Sequence, residues 1–164
     1  MRVYLAAPFF TPEQVRVVER LERAIEDTGN QLYSPRTDGV LSKMSLEDRA
    51  LSKRKIFDTN CREIAAADMV LAVVDGRDQG VTWEIGYAHG LRDDCGGDLE
   101  DKLIVTYTDQ NYGLNVMIQE CVDAHCRGMA AALDVLTAAK RERGDSKVMM
   151  TALARHQDFD PRVT

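Results

Sequence analysis

The sequence predicts an α/β protein: a doubly wound, flavodoxin- or Rossmann-like fold with a mostly parallel five-stranded sheet and helices on both faces. Three observations carry this expectation. Short apolar runs alternate with stretches of helical periodicity. The run at 69–74, MVLAVV, shows no polar alternation, as a central strand buried on both faces requires. Strand–helix–strand order with such strands favours parallel, right-handed crossovers.

The elements follow in order. Residues 3–7 form the first apolar run. Thr11 then reads as a helix N-cap, with Pro12 at the first helical position and Gln14 three after the cap. Val15, Val18, Leu21 and Ile25 give that helix one buried face, and Gly29 or Asn30 stops it. A short strand at 31–34 ends at Pro35, and the polar segment 35–46 reads as a loop. A helix is expected over about 47–67, a strand over 69–74 and a helix over about 82–91. An acidic, glycine-containing loop is expected at 93–101, and a fourth strand at 103–107. A final helix is expected from about Leu114 to Lys140.

The 164 residues fit a single domain, 1–164, with about 141–164 as a peripheral C-terminal tail. Charged residues make up 29%, and 27 acidic against 21 basic side chains give a net charge of −6. No dense Lys/Arg stripe relieves that balance, so neither nucleic acid nor an anionic membrane surface is an expected partner. No apolar run approaches the roughly 20 residues of a bilayer-spanning helix. The N-terminal run is short and broken by Pro8, and it reads as a buried strand rather than a signal peptide. The four cysteines (Cys61, Cys95, Cys121 and Cys126) contain no CxxC pair, which fits free thiols in a reducing cytoplasm. His89 and His125 lack partners at metal-ligand spacing and read as structural, His125 on a helix face. No metal or cofactor is expected.

Open α/β sheets bind ligands beyond the carboxyl ends of their strands. After the third strand stands Asp75-Gly76-Arg77-Asp78-Gln79-Gly80-Val81-Thr82-Trp83-Glu84-Ile85-Gly86-Tyr87-Ala88. Asp78 and Glu84 flank a glycine turn, and Gly80 can approach a ligand closely. Thr82 reads as the N-cap, placing Glu84 in the first helical turn, where backbone N–H groups would keep it ionised at neutral pH. On this basis alone Glu84 is either a reactive carboxylate or an acid matched to the helix dipole. Gly86 inside the helix implies close packing against the strand or a partner. After the first strand, Phe9 and Phe10 can offer a stacking face, although core packing of at least one competes with that role. Tyr4 lies within the strand and needs a hydroxyl partner if buried. After the fourth strand, Asn115 and Met117 stand at a helix start, where Asn115 is either a cap or a ligand-binding amide.

Together these pieces resemble the nucleoside 2-deoxyribosyltransferase family. The matching segments are YLAAPFF at 4–10, SPR at 34–36, IFDTNCREIAAADMVLAVVDG at 56–76, DQGVTWEIGYA at 78–88 and NVM at 115–117. The Asp-x-Gly-x-x-x-Glu-x-Gly-Tyr-Ala pattern is the specific part. The resemblance implies that Glu84 attacks the anomeric carbon of a 2′-deoxyribonucleoside to form a covalent deoxyribosyl-enzyme, with retention. It implies that Asp78 binds the sugar and helps hold Glu84, and that Tyr4 hydrogen-bonds the nucleophile. Phe9 and Phe10 match positions near the base. Asn115, with Met117 beside it, matches an asparagine that reaches into a neighbouring subunit's site. The implied partners are a 2′-deoxyribonucleoside, a free purine or pyrimidine base, and further copies of the chain in a dimer or hexamer.

Two departures stand out. Asn60 occupies a position where the family commonly has an aspartate near the base. An amide can donate a hydrogen bond there but cannot deliver a proton. Asp58, roughly 200° away around the helix, does not replace it. The family's Gly-Thr turn is here Gly80-Val81, with Thr82 one later. Two alternatives remain at this level: an N-glycosidase of nucleosides or nucleoside 5′-monophosphates on the same scaffold, and a non-catalytic nucleotide sensor. Asp78 would repel a 5′-phosphate, which favours a free 5′-hydroxyl.

Overall fold

In the computed structural model, residues 1–38, 46–94, 102–110 and 113–141 are described. The central part of the loop expected at 35–46, most of the acidic loop with Cys95, residues 111–112 and the tail beyond 141 lie outside them. The chain runs β1 (Arg2–Ala6), α1 (Pro12–Asp27), β2 (Gln31–Tyr33), a 3-10 turn (Pro35–Asp38), α2 (Leu46–Ala66), β3 (Met69–Val73) and α3 (Gln79–Asp94). It continues with β4 (Leu103–Thr108), α4 (Val116–Gln119), β5 (Ala124–Arg127) and α5 (Met129–Arg141). The five strands form one sheet in the order β2-β1-β3-β4-β5, every pair parallel.

Local chemistry sets the element ends. The Thr11 hydroxyl accepts from the Gln14 N–H while the Gln14 side chain accepts from the Thr11 N–H, a complete capping box. Gly29, at φ 71°, terminates α1. At the C-terminal end of α2, the buried Lys102 ammonium donates to the carbonyls of Ile64, Ala65 and Ala67, where a helix end leaves carbonyls short of intrahelical donors.

β3 and β4 are buried at every position, as their unbroken apolar runs require. The sheet separates two cores. On one face Val18, Leu21 and Ile25 of α1 and Val135, Leu136 and Ala139 of α5 cover Val3, Leu5, Leu71 and Val105. On the other, Ile64 of α2 and Val81, Ile85 and Ala88 of α3 cover Tyr4, Ala6, Val70 and Ile104. The connection from β1 turns one way along the sheet and that from β3 the other, so the crevice between β1 and β3 is the switch point.

One element differs from expectation. The segment expected as a single helix over 114–140 contains the one-turn helix α4, strand β5 and helix α5. β5 has only four residues, and only Ala124 and Cys126 are buried. Two apolar positions are too few to reveal a two-residue period beside the long helical pattern that follows. Gly128, at φ 83°, makes the turn between β5 and α5. His125 therefore stands on a strand, with its Nδ1 2.9 Å from the Thr106 hydroxyl, and not on a helix face.

Candidate active site

Tyr4 sits in the middle of β1, and its ring is fully buried in the α2/α3 core. Helix α3 starts beside it, after the turn that follows β3. Asp78 caps that helix: its carboxylate accepts from the Val81 N–H at 2.9 Å, and its carbonyl accepts from the Thr82 N–H at 3.1 Å. Val81, Ile85 and Ala88 point into the core, and half-buried Glu84 borders that face. The Tyr4 hydroxyl donates to Glu84 Oε1 at 2.5 Å.

The cap is thus Asp78 and not Thr82, because α3 begins three residues earlier than its sequence suggests. Glu84 consequently lies in the second helical turn, beyond the unpaired N–H groups of the first. Nor is its carboxyl held firmly ionised at neutral pH. Burial raises its pKa, the Tyr4 hydrogen bond opposes that, and the Asp78 charge adds to it, leaving Glu84 at about 7. Tyr4 is driven far above its usual range by burial and by the neighbouring Glu84, so it remains a protonated donor.

Gly80 has a role other than admitting a ligand. A Cβ there would stand 2.9 Å from Asp78 Oδ1, so the missing side chain makes room for the capping carboxylate. Gly86, by contrast, is exposed, and a Cβ there would meet nothing within 4 Å. Close packing within this chain therefore does not account for it.

The remaining expected residues lie around this pair. Asn60 is half-buried on α2, and its Oδ1 lies 3.5 Å from the Tyr33 hydroxyl. Asp58 is exposed and bound by Arg54, away from Asn60. The Phe9 and Phe10 rings stack at 5.5 Å; Phe9 packs against the α1/α5 core, whereas Phe10 is 74% exposed. Asn115 caps α4, accepting from the Met117 N–H at 2.9 Å. Its hydrogen bonds are local, and none joins it to Glu84. Val116 and Met117 beside it are strongly exposed.

Sequence reasoning passed over three features. Tyr33 pairs in register with Tyr4, and the two rings stack at 5.5 Å. The Cys61 thiol is raised chiefly by burial, with Asp58 and Glu84 contributing, which places it in the electrostatic surroundings of the carboxylate. Trp83 stacks on Tyr87 at 5.0 Å and meets Phe57 at 5.3 Å, with Trp83 and Phe57 each 45% exposed. The i, i+4 spacing of Trp83 and Tyr87 was readable, but the contact with α2 was not.

A cavity of about 260 Å³ lies beyond the strand ends, walled by Pro8, Thr11, Gln14, Asp75, Gly76 and Asp109. It contains neither Tyr4 nor Glu84. Its carboxylates are already engaged: Asp75 by the Thr108 hydroxyl and the Asp109 N–H, Asp109 by Tyr107 and Arg20. Among the described residues no group of three or more His, Cys, Asp or Glu side chains is arranged to hold a metal ion. None of their helices is long and apolar enough to cross a membrane.

The fold is a doubly wound α/β sheet that carries a carboxylate–phenol pair between β1 and α3. The family model for nucleoside 2-deoxyribosyltransferase matches residues 3–117, and the chain belongs to that family. Among solved structures it resembles a 2-deoxyribosyltransferase from Bacillus psychrosaccharolyticus, with TM-score 0.67 and 25% identity, over 82% of this chain and 91% of that one. It also resembles a conserved protein from Enterococcus faecalis V583, with TM-score 0.59 and 20% identity, over 86% of this chain and 98% of that one; this second likeness concerns the fold alone. No curated protein matches significantly.

Proposed function

We propose that the protein exchanges the base of 2′-deoxyribonucleosides through a covalent deoxyribosyl-Glu84 intermediate. The observation that carries this reading is the 2.5 Å hydrogen bond from Tyr4 to Glu84 in a family built to act on N-glycosidic bonds. Breaking such a bond builds positive charge on the sugar and negative charge on the base. Ionised Glu84 stabilises the first and then bonds to C1′ as the base leaves. The departing base takes up a proton from solvent; a second base then attacks C1′ from the vacated side and gives up its N–H proton to solvent, the C1′–Oε bond breaks, and Glu84 is released as the carboxylate. Two displacements at one carbon retain the β configuration. Tyr4 holds one oxygen of the carboxylate and leaves the other for attack. Asp78, fixed by its cap, presents its remaining oxygen to the sugar. Asn60 meets the base as a hydrogen-bonding group that delivers no proton. A sugar lacking a 2′-hydroxyl forms the cation more readily, so ribonucleosides are the poorer substrates.

The second base must reach the intermediate before water does, which favours a site closed by a neighbouring subunit. Exposed Val116 and Met117 beside Asn115, and the exposed Phe57 and Trp83, supply apolar surface for a homo-oligomer with Asn115 serving a partner's site. The reaction needs no cofactor, and a cytoplasmic location fits free thiols and nucleoside salvage.

The test is direct. The protein is incubated with deoxyinosine plus adenine, and separately with deoxyuridine plus adenine, and new deoxyadenosine is followed by chromatography. Its appearance supports base exchange and reports the range of donors. Free base without a new nucleoside identifies a hydrolase, and no turnover of either donor overturns an enzymatic reading.

A further inference from the structure

We propose that the cavity beyond the strand ends is a second ligand site, which takes a free nucleobase on the α1 side of the sheet. The choice of a base rests on the reading above, in which bases are consumed and released.

The cavity stands apart from the carboxylate–phenol pair. Tyr4 faces the α2/α3 core, whereas Val17 and Val73, which line the cavity, face the α1/α5 core. Gln14 is its most closely fixed polar group. The Gln14 Oε1 accepts from the Phe10 N–H at 2.9 Å and from the Thr11 N–H at 3.1 Å. A backbone N–H only donates, so the carboxamide has one orientation. Its own N–H groups find no acceptor among the described residues. They lie against Gly76, where a Cβ would stand 3.2 Å from Gln14 Nε2. Gly76 also has φ 87°, so its backbone and this contact both favour glycine.

Two carboxylates complete the polar wall. Buried Asp75 is held by the Thr108 hydroxyl and the Asp109 N–H, and Asp109 by Tyr107 and Arg20. Each of these bonds uses one lone pair, and a carboxylate offers about four. The cavity therefore presents an amide donor and fixed acceptors between the apolar side chains of Pro8, Val17 and Val73. A planar heterocycle has the matching form: apolar faces, with N–H groups and ring nitrogens around its edge. Glu13, Asp75 and Asp109 disfavour phosphate and carboxylate ligands, and Arg20 beside them is paired with Asp109. At about 260 Å³ the space suits one small heterocycle, being below the roughly 300–1,000 Å³ of sites for larger ligands.

The test is an amide NMR titration of isotopically labelled protein with adenine, hypoxanthine and inorganic phosphate, each alone. The Gln14 side-chain amide signal, assigned by its loss in Gln14→Glu, should shift saturably with at least one of the bases. The Gly76 N–H signal should shift with it, and neither should respond to phosphate. Gln14→Glu keeps the capping box, in which glutamate serves as well as glutamine, so it should melt near the wild-type temperature. It replaces the donor by an acceptor, and base affinity read at Gly76 should fall at least about tenfold. Val17→Phe fills the space and should abolish the Gly76 shift. No saturable shift at Gln14 and Gly76 in wild type overturns the site, as does an equal response to phosphate. A Gly76 shift undiminished in either folded variant overturns it too. The proposed reaction fails separately: wild type that exchanges no base, with these shifts intact, refutes the reaction and leaves the site standing.

Discussion

The Tyr4 hydroxyl and the Glu84 carboxylate, eighty positions apart in the chain, meet at 2.5 Å between strand β1 and helix α3. A neutral phenol fixed in the core here donates to a half-buried carboxylate, and charge-assisted bonds of this kind are short. Neither group has its ordinary proton affinity there, and several measurable consequences follow.

Glu84→Gln preserves shape and can still accept from Tyr4, yet it has no nucleophilic oxygen anion. Base exchange should fall by at least about a thousandfold, as when the central group of a catalytic unit is removed. Intact-mass spectra of the wild-type enzyme quenched during turnover should show a deoxyribosyl adduct that is absent from the variant.

The carboxyl at about 7 must lose its proton to attack, so kcat/KM should decline below that pH along an acid limb. Tyr4→Phe removes a hydrogen bond that favours the ionised form, and the limb should move to higher pH. Asp78→Asn removes the charge that disfavours ionisation, and the limb should move lower. Opposite displacements in the two pH–rate profiles would separate these contributions, and shifts in the same direction would refute the assignment.

Stability should respond to the same group. Folded Glu84 holds its proton up to about pH 7, whereas in the unfolded chain it releases it near 4.5. Its contribution to stability is therefore complete below about 4.5 and is lost as the pH rises through about 7. Glu84→Gln abolishes this dependence. Its melting temperature should gain on wild type between about pH 5 and pH 8, by an amount on the order of 1 kcal/mol in stability.

Asp78 combines two duties that substitutions can separate. Asp78→Ala removes the α3 cap and should cost about 0.5–2 kcal/mol. Asp78→Asn retains an acceptor for the Val81 N–H and should unfold near the wild-type temperature while losing activity. Gly80→Ala pushes a Cβ against the capping oxygen and should raise KM for the nucleoside through displaced Asp78. Urea melts and steady-state kinetics on the three variants check this order.

Asn115 can be tested for service to a neighbouring subunit. Asn115→Asp keeps an equally good cap on α4, so its thermal stability should hold while its activity drops. Mixing Asn115→Asp subunits with inactive Glu84→Gln subunits should restore part of the exchange activity, because mixed oligomers contain some sites with both native residues. No recovery after documented subunit exchange would assign Asn115 to its own chain.

Much of the fold could be read in one dimension. The apolar runs of β1, β3 and β4 and the Thr11–Gln14 capping box are local patterns, and the structure realises them within one or two residues. β5 escaped because four residues with two buried positions carry too little periodicity, and its strand character depends on pairing with β4. The start of α3 was misplaced because Asp78 and Thr82 are both good caps by residue type. The space left by Gly80 lets Asp78 fold over the first turn. Tyr33 was passed over because its importance comes from register with Tyr4, a relation between two strands and not a property of either.

By itself, the order of residues determined the alternation of strands and helices, the acidic glycine turn after β3, and the family pattern around Glu84. These depend on short-range spacing and on which side chains avoid water. Only the folded chain decided which oxygen meets which hydroxyl, how far burial lifts the proton affinity of Glu84, and that Tyr33 leans on Tyr4 and reaches Asn60. Dielectric surroundings and contacts a few ångströms wide arise when distant segments pack, and no local pattern encodes them.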